Sequence, residues 1–402
     1  MTRLLSPLYL GLLATLCLSQ VHAKDASASP VIAPSLQRFV DDHTISGAVT
    51  LVVGKDGILN LETVGFSDLK SKTPMSRDAM FWIASMTKPM TSMALMMLVE
   101  EGRLSIDDPV EKYLPEFKGQ MLAVEKAADH VLLRKPARPV TIRDLLTHSS
   151  GLVGKSPLEP GALDVLTLRE AVITYAMSPL QFEPGSKWSY CNPGISTLGR
   201  LIEVASGKSY AQFMQERLFT PLGMKDTTFW PDKAHLLRLA KAYKPTADKA
   251  GLEVTPIMYL SPDLSDRKRM PLPAGGLFSC ATDLAKVYAM VLNGGTLNGH
   301  RFLKAETLKL MTTNQLGDMK VSFAEGMNMG LGFHIVKTPK GVTEALSPGS
   351  FGHGGAYGTQ AWIDPTRGLA IVLLIQRANL PNSDQSAMRA VLQKTAVERF
   401  GK

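Results

Sequence analysis

Apolar, β-branched residues gather near the two ends of the chain. Gly47 to Val53 is one such run, Gly54-Lys55-Asp56-Gly57 interrupts it, and Ile58 to Val64 resumes it. That pattern predicts a hairpin across a glycine-bearing turn. Thr359 to Ile363, the turn-forming Asp364-Pro365-Thr366-Arg367-Gly368, and Leu369 to Gln376 repeat it, and a terminal helix is expected over Ser383 to Phe400. Between the ends the period changes. Met86 to Glu101, Thr141 to Thr147, Leu166 to Met177, Gly194 to Ala205 and Thr282 to Leu292 carry helical spacing. Strands at both ends with helices between predict an α+β fold. One antiparallel sheet, built from the N- and C-terminal strands, is flanked by helices (about 35–84 plus 270–402), and a mainly helical subdomain (about 85–269) is inserted.

Composition agrees with a folded enzyme-sized chain. Of 402 residues, 45% are hydrophobic and 20% charged, too apolar for disorder and too interrupted for a polytopic membrane protein. The length exceeds one simple core, which fits two subdomains. The formal charge of +8 is spread through interspersed acids and bases. No concentrated basic face or groove-reading motif accompanies it, so no nucleic-acid partner is expected.

The first 23 residues read as a secretory signal peptide. Arg3 precedes an apolar run from Leu4 to Leu18, and Val21-His22-Ala23 offers a small residue at the cut. Export to the periplasm or medium is expected, with a catalytic domain over 24–402. The run is short for a membrane span, and no later stretch reaches 18 apolar residues, so no stable membrane insertion is expected. Cys17 follows Leu16 where a lipid-attachment site wants a small residue. Of the remaining cysteines, Cys191 and Cys280 are far apart and are expected as two buried thiols. The oligomeric state is not encoded in any of these features.

Familiar catalytic patterns fail. There is no G-x-S-x-G and no H-E-x-x-H, and the eight histidines lack ligand spacing, so neither a metal nor another cofactor is expected. Gly207-Lys208-Ser209 lacks the first glycine of a phosphate loop and reads as a helix C-cap. What remains is serine and lysine at i, i+3. Three pairs occur: Ser67/Lys70, Ser85/Lys88 and Ser265/Lys268. The first and third lie in polar, charged stretches. Ser85 instead opens Met86 to Val99, a helix apolar on nearly all sides and therefore buried. There a serine has free N–H groups and the positive dipole end beside it, and Lys88 shares its face. Desolvation of that ammonium would free a neutral amine to take the serine proton.

Two further segments carry candidate chemistry. Tyr190-Cys191-Asn192 is the one Y-x-N and His353-Gly354-Gly355 the one H-x-G in the chain. A tyrosine beside a cationic lysine can be held partly as phenolate and act as base or shuttle. Asn192 offers an amide to a substrate carbonyl or to Lys88. The glycine pair would let a sheet-edge backbone approach substrate and present an N–H to an oxyanion.

In the order Ser85-x-x-Lys88, Tyr190-x-Asn192, His353-x-Gly355, the chain resembles the serine β-lactamase-like superfamily: class C β-lactamases, D-Ala-D-Ala carboxypeptidases of the penicillin-binding type, and family VIII carboxylesterases. The resemblance runs from about Ser35 to Phe400. It includes the segments Leu145 to Leu152, Pro221 to Met224 and Ala274 to Ser279. It implies that Ser85 is the acylated nucleophile, that Lys88 and Tyr190 form the base pair, and that Asn192 contacts substrate or Lys88. It also implies that His353, Gly354 and Gly355 line the substrate site and that the N–H groups of Ser85 and Ala356 form the oxyanion hole. The β-lactamases of this superfamily usually carry Lys where His353 stands, and a largely neutral imidazole suits an uncharged ester better than an anionic lactam. A small-molecule ester is the expected substrate, with a D-peptide, a lactam or a non-catalytic penicillin-binding sensor role as alternatives. Arg267-Lys268-Arg269 could instead supply a carboxylate-binding cation, although a solvated loop is the plainer expectation.

Overall fold

The computed structural model describes residues 31–401, apart from 157, 160 and 322. The expected signal peptide and its expected cleavage at Ala23 lie outside the described residues. Eight strands form one antiparallel sheet: β1 (Gly47–Gly54), β2 (Gly57–Asp68), β3 (Thr73–Pro74), β4 (Met327–Met329), β5 (His334–Val336), β6 (Phe351–Gly354), β7 (Gln360–Asp364) and β8 (Leu369–Leu374). Their order is β4-β5-β6-β7-β8-β1-β2-β3. The two predicted hairpins therefore meet at the centre, where β1 pairs with β8 and Val49 faces Leu374.

Why these runs are continuously apolar is visible in the alternation. Ala48 and Val52 of β1, with Leu369, Ile371 and Leu373 of β8, enter one core. Val49, Leu51 and Val53, with Ala370, Val372 and Leu374, enter the other. Both faces are covered, so both sets of side chains are buried.

Among the helices that build these cores are α1 (Ala33–Asp41), α2 (Thr87–Glu100), α3 (Ile142–Leu146), α4 (Leu168–Met177), α5 (Asn192–Ser206), α6 (Ala281–Leu292) and α7 (Ala387–Phe400). α1 and α7 contribute to the first core. α2 to α6 contribute to the second, and every residue of α2 from Thr87 to Leu98 is buried, as its all-round apolarity predicts. Gly207 ends α5 in the left-handed conformation, φ +73°, the C-cap expected of it. Cys191 and Cys280 are buried free thiols.

Three features lie outside the sequence reading. α1 carries no local cap. Its first N–H groups, from Val31, Ile32 and Ala33, are held at 2.7–2.9 Å by the Glu62 carboxylate of β2. The last helix begins at Ala387, because Asn382 caps a separate 3₁₀ turn over Ser383–Gln385 and Ser386 caps α7. The middle region also holds an unpredicted hairpin, Leu122–Lys126 with Val131–Arg134.

Candidate active site

Ser85 sits in a single 3₁₀ turn, Ala84–Met86, that runs into α2, two residues ahead of its first residue Thr87. The turn begins with Ala84 at φ +46°. A left-handed alanine costs about 1–3 kcal/mol and persists only where its surroundings impose it. Here they do. The Thr87 hydroxyl donates to Ala84 O at 2.7 Å, Met86 N–H donates to Ile83 O at 3.1 Å, and Ile83 N–H donates to Leu277 O at 3.0 Å.

Lys88 lies one turn along, fully buried. Its Nζ is 3.0 Å from Ser85 Oγ and donates to Ala274 O. Burial pulls its pKa well below the ordinary lysine range. The Tyr190 hydroxyl donates to the same Ser85 Oγ at 2.9 Å, and burial pushes that phenol far above its usual value. The expected phenolate is corrected on this point. One dry environment drives the amine and the phenol toward their neutral forms together. Lys88 Nζ also lies 4.8 Å over the Tyr190 ring face.

The segment 145–152 explains how Tyr190 is held. Thr141 and Asp144 form a reciprocal cap on α3, and the Arg138 guanidinium grips Asp144 with two bonds of 2.6 and 2.9 Å. The chain then turns at His148, φ +59°, whose carbonyl accepts from Ser189 N–H (2.9 Å) and whose Nδ1 accepts from Cys191 N–H (3.1 Å). Tyr190 is clamped between those two bonds, its ring 4.7 Å from that of His148. Cys191 caps α5, its sulfur accepting from Gly194 N–H at 3.4 Å, so it is turned away from the cleft as a middle residue should be. Burial raises its thiol to about 11.

His353 is the penultimate residue of β6, an interior strand and not a sheet-edge one. The pairing of β6 with β5 stops at Gly352, however, so His353 to Ala356 are open toward the cleft. The imidazole is 3% exposed and stacks on His334, 4.6 Å between centroids and 22° between planes. Nδ1–H donates to Gly354 O at 2.6 Å, which leaves Nε2 as a bare acceptor without a protein partner among the described residues. Burial holds His353 well below the usual imidazole range and His334 down to about 3. Protein neighbours crowd the glycine pair, side chains at Gly354 and a main-chain oxygen at Gly355. A Cβ at Gly354 would collide with Asp384 Oδ1, and one at Gly355 would lie 2.8 Å from Ile83 O. The second approach brings Ala356 beside the turn that carries Ser85. Among the described residues, neither the Ser85 nor the Ala356 N–H donates to a protein acceptor.

A cavity of about 250 Å³ brings these residues together: Ser85, Tyr190, Asn192, His353, Gly354, Gly355 and Ala356 all line it. Lys88 lies beneath, reached through Ser85. Asn192 faces the cavity, while the Lys88 amine is engaged by Ser85 and Ala274, so the substrate-facing alternative is the one the geometry favours. Sequence reasoning missed the walls. Trp82, Tyr259 and Phe323 provide aromatic faces, and Asp384 a carboxyl. The basic run is a correction: Arg269 is 4% exposed and locked to Asp164 at 2.7 Å in a buried ion pair, and none of residues 267–269 lines the cavity. Ser265 is exposed and Ser67 half-exposed, as expected of surface positions.

Residues 32–396 match the family model described as Beta-lactamase. This chain belongs to that family. Within the Beta-lactamase family it is similar to Protein Rv1367c of Mycobacterium tuberculosis (strain ATCC 25618 / H37Rv), at 32% identity over 376 residues, 89% of this chain and 92% of the relative. Esterase EstB of Burkholderia gladioli is 27% identical over 362 residues, 84% and 87% of the two chains. Among solved structures, EstCE1, a hydrolase with promiscuous acyltransferase activity, superposes with TM-score 0.75 at 26% identity, covering 90% of this chain and 96% of its own. The Beta-lactamase family assignment places the chain in a serine-hydrolase superfamily and agrees with the antiparallel sheet flanked by helices.

Proposed function

We propose that the protein is an exported serine hydrolase that cleaves small carboxylic esters through an acyl-enzyme on Ser85. The observation that carries this reading is Ser85 Oγ held at 3.0 Å from a buried lysine amine and 2.9 Å from a buried phenol, at the floor of a cavity. In the first half-reaction Ser85 Oγ attacks the ester carbonyl carbon while its proton passes to neutral Lys88 Nζ. The carbonyl oxygen takes up negative charge in front of the free Ser85 and Ala356 N–H groups. Collapse breaks the bond to the alcohol oxygen. That oxygen receives a proton from the Tyr190 hydroxyl, which is refilled from Lys88. Water then repeats the sequence on the acyl-enzyme and releases the acid.

Two features favour esters over carboxylate-bearing lactams or D-peptides. His353, in the position where a fixed positive charge would meet a carboxylate, is buried and driven toward neutrality. The esterase name of one relative and the hydrolase title of a structural neighbour agree with that choice. The test is a turnover panel on purified protein: a short p-nitrophenyl ester, a D-Ala-D-Ala peptide and a chromogenic cephalosporin. The ester should be turned over fastest, and faster peptide or cephalosporin turnover would overturn the reading. Export is tested separately. The N-terminus of protein recovered outside the cytoplasm should be Lys24, and a lipidated species beginning at Cys17 would contradict it.

A further inference from the structure

The cavity is lined by aromatic, small and polar residues, and among those described none is Lys or Arg. Its one acid is Asp384, in the 3₁₀ turn Ser383–Gln385 ahead of α7. This side chain is half-buried and lies against the β6 end, where a Cβ at position 354 would have to displace it. Burial pushes this carboxyl above the ordinary aspartate range, while the Arg389 charge and the Gln360 amide pull it back toward the anion. Gln360 Nε2 approaches at 3.4 Å, a long contact. Arg389 of α7 donates at 2.6 Å to the Asp384 main-chain carbonyl, not to its carboxylate, and its guanidinium is spread over the Trp362 ring at 3.8 Å. No ion pair to Asp384 forms among the described residues. Arg389 stays cationic, its pKa lowered only to about 10, whereas burial drives Tyr190, Lys88 of α2, His334 of β5 and His353 of β6 toward neutrality.

An acid at the rim of an otherwise cation-free cavity discriminates by charge. We propose that Asp384 is a specificity-determining residue that repels substrates bearing a carboxylate near the scissile bond and admits those that are uncharged or carry an ammonium group. The inference rests on Ser85 being the acylated residue, and it narrows the class of esters that the site would accept. Repulsion between two like charges a few ångströms apart in a partly wet site is worth about tenfold in rate after screening and imperfect geometry.

The experiment measures the second-order rate at which Ser85 is labelled by phosphonate esters of equal size with neutral, ammonium or carboxylate arms. In one set the arm is on the retained side, in the other on the leaving group. Labelling reads acylation directly and does not depend on later hydrolysis. Each protein's rates are divided by its own rate with the neutral probe, which cancels any general loss. In the wild-type protein the carboxylate probe should be about tenfold slower than the neutral one in at least one set, and the gap should shrink with added salt. Asp384→Asn and Asp384→Ser should close the gap to about threefold or less and remove any advantage of the ammonium probe. Equal wild-type rates for carboxylate and neutral probes in both sets would overturn the proposal without any variant. So would a gap that neither substitution moves. Failure of every probe to label Ser85 would instead defeat the nucleophile assignment, and the filter with it, a result distinct from unmoved ratios.

Discussion

The two walls of the cleft are built on different principles. The wall carrying Ser85 and Lys88 grows from α2, a helix submerged in the larger core, and its lysine and threonine are held: Lys88 by Ser85 and Ala274, Thr91 by Pro273 O and the Tyr210 hydroxyl. The opposite wall is the end of β6 and the turn before α7. It leaves the His353 and His334 Nε2 atoms without protein partners among the described residues and carries Asp384, whose carboxylate forms no ion pair there. A wall whose lysine is held from two sides can keep one reacting atom in place. A wall with unspent hydrogen-bonding capacity is left for whatever enters. The contrast separates chemistry from selection, and it can be broken by substitution on either side.

The largest effect should come from Ser85→Ala. Ester turnover should fall by at least about 10³-fold, since no other group on that wall can form the covalent bond, while thermal unfolding stays cooperative. Peptide mapping after phosphonate treatment of the wild-type protein should find the adduct on Ser85. An adduct on Ser67 or Ser265 would end the assignment.

Lys88→Met should cost nearly as much activity and reveal what the dry wall costs in stability. A lysine whose folded pKa is depressed binds fewer protons than the unfolded chain. The penalty is therefore full below the folded pKa and disappears as pH rises toward the ordinary lysine value. Wild-type stability relative to Lys88→Met should thus improve with rising pH across that window, in denaturant titrations at matched salt, and wild-type kcat/KM should rise with pH as the amine loses its proton. A stability difference that ignores pH would mean that Lys88 is charged in the fold.

Gly355→Ala addresses the seam between the walls. Its Cβ would meet Ile83 O at 2.8 Å and crowd Thr359, pushing Ala356 away from the Ser85 turn. A displacement of this kind should lower kcat by about 10–100-fold with modest change in KM. An unaltered kcat would remove Ala356 from the oxyanion site. The smallest effect is expected from His353→Lys. With Asp384 at hand the new ammonium should be partly neutralised, so labelling by carboxylate probes should rise only about threefold. In the Asp384→Asn background the same change should give about tenfold. Additive behaviour would show that positions 353 and 384 act independently.

How much of this was legible in the sequence depends on the range of the interactions concerned. Ser85, Lys88 and Tyr190 could be found because local context separates them: an all-round apolar helix behind one S-x-x-K pair, and a solitary Y-x-N. The central hairpins were legible because both faces are buried and the apolar runs are unbroken. What stayed hidden depends on partners far along the chain. α1 is capped by Glu62, Arg269 looks solvated until Asp164 is brought beside it, and His353 looks like an ordinary loop histidine until β5 stacks His334 against it. Asp384 had no signal at all, since a carboxylate in a polar turn before a helix is an ordinary surface feature. The segment 145–152 offered a clue through its resemblance, but the role of His148 as a clamp on Tyr190 needed the fold.

The pairing of β1 with β8 also sets the order of events during biosynthesis. The middle of the sheet joins strands from opposite ends of the polypeptide, and the cores on its two faces need both. Until the last fifth of the chain has left the ribosome, Val49, Leu51 and Val53 lack their neighbours and the nucleophile turn has no Thr359 to lean on. Closing so long a loop is slow, and the unfinished chain shows apolar strand surface meanwhile. In a chain of this topology the core is completed only once β8 has been made, so folding should follow synthesis rather than keep pace with it.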